Sequence, residues 1–469
     1  LERLVHWLRS DVNSNEKMIS EPVLLIDDEA DNASVNTGEA DEDPKTINRL
    51  IREVIHSCKK ISYVAYTATP FANIFIHPDS EGDTSETDDL FPKDFLVALE
   101  PPNNYCGARF FFRNDDRSKS ICELINDADE HLPLVHRPGT AVESIPESLK
   151  EAIRVFLLAS AIKDIRREKG IIRKIHDSML INMSRLTSVQ SDISPHVDAY
   201  LDEIWSAIEL YIFKPMPQER SLNLNALFSD WNRHYLNLDG QESWSEVCKA
   251  LGNMKKPVVV TVHSKSGDSL IYEDGGPEKQ IAVGGLKLSR GLTLEGLVVS
   301  YFYRRSVMYD SLMQMGRWYG YRDGYQDLLK LWITSESSDW YAHISEASDN
   351  LREQAAEMQK KRMTPREFGL RVQASPDALM VTAPNKMRTA TTMTTRMRFD
   401  RLLQTDCVYS DEGIIEDNLK EFVEFLDSIE GRRIPESDFP DAHRQHVGFG
   451  NVPASAIVDC LSRLANHPS

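Results

Sequence analysis

The sequence predicts an α/β protein built on mostly parallel sheets covered on both faces. Two features predict it. Short apolar runs at residues 23–26, 61–66, 178–183, 257–262, 280–283, 297–303 and 329–333 stop abruptly at polar or glycine residues. Runs of this kind suit strands buried on both sides. Segments with apolar residues at helical spacing lie between them, the alternation that makes parallel strands.

The length, 469 residues, allows two or three domains at roughly 150 residues each. With 41% apolar and 27% charged residues the composition is that of an ordinary globular chain. No run approaches the ~18 apolar residues of a membrane span, and the opening LERLVHWLRSD does not read as a signal peptide. The six cysteines are scattered without a CxxC pair, which predicts reduced thiols in a cytoplasmic protein and argues against a zinc ribbon. A net charge of −19 disfavours a general coat of base for DNA, while leaving room for a local basic groove.

The first strand, in PVLLIDDEADNAS at 22–34, runs into Asp27, Asp28, Glu29 and Asp31. Carboxylates there would stand at the C-terminal edge of a sheet, where α/β proteins bind ligands. One acid could hold Mg²⁺ through water and the next could orient or deprotonate an attacking water. A solvated acidic loop accounts for these residues equally well. Residues 44–60 have Ile47, Leu50, Ile51, Val54 and Ile55 at helical spacing behind Pro44. The strand at 61–66 ends in TATPFAN, whose hydroxyls could hydrogen-bond the acids of the first strand; a plain Thr-Pro turn is the alternative. Residues 77–94 read as an acidic loop, and 95–146 carry no clear periodicity.

Residues 147–169 form a strong helix ended by Gly170, and a domain boundary falls just before it. A second α/β region follows. Its insert, 187–256, reads as helical with Trp205, Trp231 and Trp244 as core anchors. Between the later strands lie LSRGLTLEG at 288–296 and DSLMQMGRWYGYR at 310–322, which puts two arginines near the end of a short helix. Arginine suits phosphate because its planar fork keeps its charge, although stacking on Trp318 and Tyr321 is an equal alternative. Residues 339–362 form a long helix. Residues 385–398 hold Lys386, Arg388, Arg396 and Arg398 without an acid, either a phosphate-contacting stretch or a solvated face. A helical, acidic segment at 414–426 and a final helix close the chain.

The order of these motifs resembles that of superfamily 2 helicases and translocases, which pair two RecA-like domains around one ATP. The wording LLIDDEADNAS, YTATPFANI and SLMQMGRWYGYR is similar to the Z-one domain family. These are bacterial helicase-like ATPases, often labelled endonucleases, with relatives in restriction-type and anti-phage defence loci. The resemblance covers roughly residues 20–75 and 175–400. It implies RecA-like, P-loop NTPase-type sheets: a partial first lobe at 1–144, a second lobe at 145–340, and a C-terminal α+β extension at 341–469.

It also implies ATP and Mg²⁺ as cofactors and DNA as substrate, with a methyltransferase, nuclease or gyrase-type ATPase encoded nearby. Asp28 would be the Mg²⁺-linked acid and Glu29 the base acting on water. Thr67 and Thr69 would couple nucleotide state to the cleft, with Gln314 beside it. Gly291 and Glu295 would line the cleft from the second lobe, and Arg317 or Arg322 would be the arginine finger. One residue more than usual separates those arginines, which leaves their assignment open.

The chain departs from the family in one respect. No GxxxxGK[ST] occurs; the nearest lookalike, HSKSG at 263–267, has the wrong spacing. Without that backbone cradle and lysine the phosphates lose their main anchor. The expectation is a C-terminal part of a larger protein or a truncated product that turns over ATP negligibly by itself. A non-catalytic DNA- or partner-binding module is the rival. A nuclease using Asp27, Asp28 and Asp31 on a metal is a third reading. The loose PD-(D/E)xK mimic at 375–386 lacks its second acid.

Overall fold

The computed structural model describes residues 1–10, 18–32, 34–36, 45–76, 90–113, 115–236, 242–262, 270, 272, 278–285, 293–306, 308–370, 372, 380–381, 411–433 and 449–464. The chain divides into two compact units, Leu1–Thr392 and Met393–Ser469. The first opens with α1 (Glu2–Ser10), β1 (Val23–Asp28), α2 (Thr46–His56), β2 (Ile61–Tyr66) and α3 (Phe71–Ile74). There follow β3 (Tyr105–Cys106), α4 (Ala108–Phe112), α5 (Asp116–Ile121), β4 (Cys122–Leu124), α6 (Glu147–Glu168) and β5 (Asp177–Asn182). Next come α7 (Thr187–Tyr211), α8 (Leu222–His234), α9 (Trp244–Asn253), β6 (Val258–Val262), β7 (Lys279–Gly284) and β8 (Leu297–Phe302). The unit ends with α10 (Tyr309–Met315), β9 (Gly320–Tyr321), β10 (Lys330–Ile333), α11 (Ser335–Lys360) and α12 (Pro365–Phe368).

Six strands form one sheet in the order β4-β10-β8-β5-β7-β6, and every pairing is parallel. This is an α/β architecture that fits a RecA-like fold. β5, β7 and β8 are buried at every position, as strands of a sheet covered on both faces are. Met179 and Ile181 face the main core, while Leu180 and Ala282 face a smaller cluster with Val260, Val262 and Leu297. Each such side chain contributes roughly 1.5–3 kcal/mol on burial. In the helical insert, Trp231 and Trp244 meet at 5.7 Å and Trp205 is buried, as expected.

Helix α6 is buried along almost its whole circumference, cations included. Lys163, 1% exposed, pairs with Asp177, which is fully buried, and donates to the Gly296 carbonyl at 3.0 Å. Arg167 makes a two-pronged bond to the same Asp177 at 2.5 and 3.0 Å, and Lys279 stands 3.5 Å from it. Asp177 and Lys279 open β5 and β7, so this network closes the N-terminal edge of the sheet.

Three expectations need correction. β1 and β2 are not buried on both faces. They form a separate two-stranded parallel sheet, and Leu24 and Ile26 are 62% and 58% exposed. Leu25 and Ile61 pack toward Val5, Leu50 and Val54 of α1 and α2, so one face alone is covered. The boundary at 145 is not a sheet boundary, because β4 pairs with β10 as an edge of the six-stranded sheet. Nor does an extension begin at 341. α11 continues the core of the first unit through Tyr341, Ile344 and Leu351. In the second unit the described residues are helical, α13 (Glu412–Ile429) and α14 (Ala454–Arg463), with one bridge between Arg433 and Phe449. An α+β character is not seen among them.

Candidate acid–arginine site

The acidic turn is built by β1 and β2. Past Asp28 the pairing continues one step, the Ala30 N–H donating to the Tyr66 carbonyl at 3.1 Å. Glu29 then adopts a left-handed backbone (φ 56°), a conformation that costs a non-glycine residue roughly 1–2 kcal/mol. Two bonds hold it: the Glu29 N–H donates to Asp28 Oδ1 at 3.0 Å, and its carbonyl accepts from Asn32 at 3.0 Å. Asn73 of α3 donates to the Ala30 carbonyl at 3.2 Å. The turn leaves Asp28 and Glu29 exposed and carries Asp31 inward to 1% exposure.

Asp31 is where the elements meet. Thr67 donates to its Oδ1 at 2.8 Å, and Thr69 donates to its Oδ2 at 2.9 Å. Thr67 also accepts the Thr69 N–H at 2.9 Å, which locks the two hydroxyls in register. From α10, Gln314 donates to Oδ2 at 3.1 Å. A buried carboxylate accepts several donors readily, and these offset its lost hydration. The threonines therefore do bond an acid of the first strand's turn, at Asp31 rather than at Asp28 or Glu29. The sequence reading left Asp31 out of the ATPase site. The signal was the acid three residues after Asp28, followed by a T-x-T.

The two arginines separate clearly. Arg317 follows α10, is half-buried, and has Glu29 as the carboxylate acting on it. Burial lowers its pKa and Glu29 opposes that shift. Arg322 is 8% exposed and turns back on its own chain. Its Nη1 donates to the Tyr321 carbonyl at 3.0 Å, and its Nη2 to those of Trp318 and Tyr319 at 3.3 and 3.2 Å. Gly320, at φ 142°, makes room for it, since a Cβ there would lie 2.7 Å from Arg322 Nη1. Arg322 as a finger is thus corrected: its donors shape the turn that carries Arg317.

Glu295 is also corrected. It sits just before β8, at the N-terminal edge of the sheet, with Lys174 at 3.7 Å, and its carbonyl accepts from Ser178. Arg317 follows α10, which the chain enters after leaving the C-terminal end of β8. Gly291, Lys386, Arg388, Arg396 and Arg398 lie outside the described residues, as do the 375–379 and 384–386 segments of the nuclease mimic and most of the 77–94 loop.

Asp27, Asp28 and Asp31 do not converge on a metal. Asp27 accepts from the Tyr63 hydroxyl at 2.7 Å, Asp31 is taken up as above, and neighbouring positions 27 and 28 project from opposite faces of β1. Among the described residues no group of three His, Cys, Asp or Glu could hold a metal. Asp28 alone, exposed and with one oxygen engaged by its own turn, fits a Mg²⁺ that keeps most of its waters.

The fold and this arrangement define a parallel-sheet α/β protein with an acidic turn set against an arginine-bearing helix end. Residues 148–379, just under half of the chain, match the family model of the Z1 domain, and over that span the chain resembles the Z1 domain family. No curated protein and no solved structure matches. No helix among the described residues is long and apolar enough to cross a membrane.

Proposed function

We propose that the chain carries the acid-and-arginine part of a helicase-like ATPase of the superfamily 2 kind, acting on DNA in bacterial restriction or anti-phage defence. The observation that carries this reading is the joining of Asp31 to Thr67, Thr69 and Gln314, with Arg317 near enough to Glu29 to feel its charge. It places motifs far apart in sequence around one exposed acidic turn, in the order of that superfamily. β1 and β2 then belong to a first RecA-like lobe and the six-stranded sheet to a second.

In this mechanism Asp28 would hold a Mg²⁺ ion, which when bound would neutralise charge on the phosphates. Glu29 orients a water and takes its proton. Arg317 brings fixed positive charge to the transferring phosphate, while Gln314 holds α10 to the turn. The sequence supplies no P-loop cradle, so tight nucleotide binding needs one from elsewhere, in this protein or another.

The test is DNA-stimulated ATP hydrolysis by the chain and by a form extended to include a GxxxxGK[ST] segment. Activity confined to the extended form and abolished by Glu29→Gln or Arg317→Ala is the expected result. Hydrolysis indifferent to both substitutions would overturn the reading, and absence of hydrolysis in both forms would favour a binding module.

A further inference from the structure

A second cationic centre lies at the C-terminal edge of the six-stranded sheet. β5 and β8 are neighbours there, with Asn182 opposite Phe302, and the Tyr303 N–H donates to the Asn182 carbonyl at 2.9 Å. Just beyond the strands the chain carries Arg185 on one side and Arg304 on the other. Arg304 is partly buried, and its Nε and Nη1 are both shielded from solvent without a hydrogen-bond partner. Its neighbour in sequence, Arg305, finds Glu336 at 3.7 Å, whereas burial first and then the cation Arg185 disfavour the charge on Arg304. A partly buried guanidinium without a partner, and with a second cation in its neighbourhood, is unfavourable unless an anion offsets them.

The surroundings are fixed. Residue 185 lies two positions before α7, a helix of 25 residues whose N-terminus has no side-chain cap. Its first-turn N–H groups add partial positive charge at the same edge. Ser184 is pinned from three sides. Its hydroxyl lies 2.6 Å from His136 Nε2 and accepts the Leu186 N–H at 3.0 Å, and its carbonyl accepts from Gln190 at 2.9 Å. His136 Nδ1 faces the Pro133 carbonyl at 2.8 Å and therefore carries the proton, so Nε2 accepts from Ser184. Gly285, at the end of β7, passes so close that a Cβ would lie 2.8 Å from the Ser184 carbonyl oxygen.

We propose that Arg304 and Arg185, with the N-terminus of α7, form a binding site for a phosphate group. The unpartnered donors of Arg304 are the observation that points to a ligand. A phosphate takes charge-assisted bonds from several donors at once, and arginine presents them in a fixed plane. The site uses none of the residues of the acidic turn. The group has two sources, the backbone of a nucleic-acid strand or a free phosphate or nucleotide.

The experiment is calorimetric titration of the full chain with inorganic phosphate at constant ionic strength, with thermal unfolding in phosphate against chloride as a second readout. Arg304→Met and Arg185→Gln are each expected to weaken phosphate binding at least ~10-fold, as loss of a charge-assisted bond implies. Arg304→Met should also abolish the rise in Tm that phosphate gives the parent, without lowering the Tm in chloride. The exposed Arg185→Gln keeps the test intact should Arg304→Met fail to fold. Displacement of bound phosphate by a short single-stranded DNA would support the site and name a nucleic-acid backbone as its source. Phosphate binding that DNA leaves unchanged, yet lost in the variants, would support it and name a free phosphate or nucleotide. No phosphate binding by the parent, or equal binding in parent and variants, would overturn it. ATP hydrolysis is not read, so failure here and failure of the ATPase reading are separate outcomes.

Discussion

Gln314 of α10 reaches Asp31 across 283 residues of sequence and donates to its Oδ2 at 3.1 Å, the same oxygen that Thr69 holds at 2.9 Å. One carboxylate thus ties the small β1–β2 sheet to the helix that leads into Arg317.

Replacing that carboxylate should cost more than replacing any one of its donors. Asp31→Asn turns one acceptor into a donor and sets it against a hydroxyl or amide already donating. The expected loss is about 1–3 kcal/mol in urea unfolding. Gln314→Ala should lose less, and a double-mutant cycle of the two should show coupling of about 0.5–3 kcal/mol. Strict additivity would mean that the bond is absent in solution.

The two arginines should fail in different ways. Arg317→Ala is expected to leave the urea midpoint near that of the parent and to reduce ATP turnover of a P-loop-bearing form by about 10³-fold or more, the range seen for arginine fingers. Arg322→Ala removes the donors to the carbonyls of Trp318, Tyr319 and Tyr321, so it should lower stability directly. If Arg322→Ala keeps full stability while losing turnover, the assignment of roles is reversed.

The buried network at the other end of the sheet makes a pH prediction. Burial pulls the Lys163 pKa down to about 8 from an ordinary 10.5, against the opposing pull of Asp177. Between those two values the unfolded chain holds a proton that the folded chain has released, so stability rises with pH across that window. The stability difference between the parent and Lys163→Met should therefore move in the parent's favour from pH 8 toward pH 10.5; a flat difference contradicts it. Asp177 shifts downward, so its contribution is held above the ordinary carboxylate range and lost as pH falls through the lowered value. Asp177→Asn strands Lys163 without its counter-ion and should cost about 3–5 kcal/mol.

The basic residues at 386–398 are tested by salt. If Lys386, Arg388, Arg396 and Arg398 touch DNA phosphates, replacing all four should flatten the dependence of log K on log salt by roughly one unit per contact. An unchanged slope removes them from the interface.

Much of the fold was legible because buried parallel strands announce themselves: residues 178–183 and 297–303 are mostly apolar and became β5 and β8. Strand β4 was not, since three residues at a sheet edge carry no period that a window could detect. β1 and β2 read as fully buried because Leu24 and Ile26 are apolar on the open face, and apolarity alone does not say what covers a residue. At the site, Asp28, Glu29, Thr67, Thr69, Gln314 and Arg317 were visible as motif positions. The hub at Asp31 was missed because its importance lies in convergence of three segments. Glu295 was misplaced because spacing does not reveal at which end of β8 a residue just before it stands.

The closure of the N-terminal strand ends by Lys163, Asp177, Arg167 and Lys279 has a practical consequence for reading natural or laboratory variants. Damage at that end should appear as poor yield and early aggregation whatever the assay. Replacement of Arg185, Arg304 or Arg317 alone should leave yield intact and appear only when a ligand is offered. A growth-temperature screen will therefore find damage to the buried network and pass over loss of these three side chains.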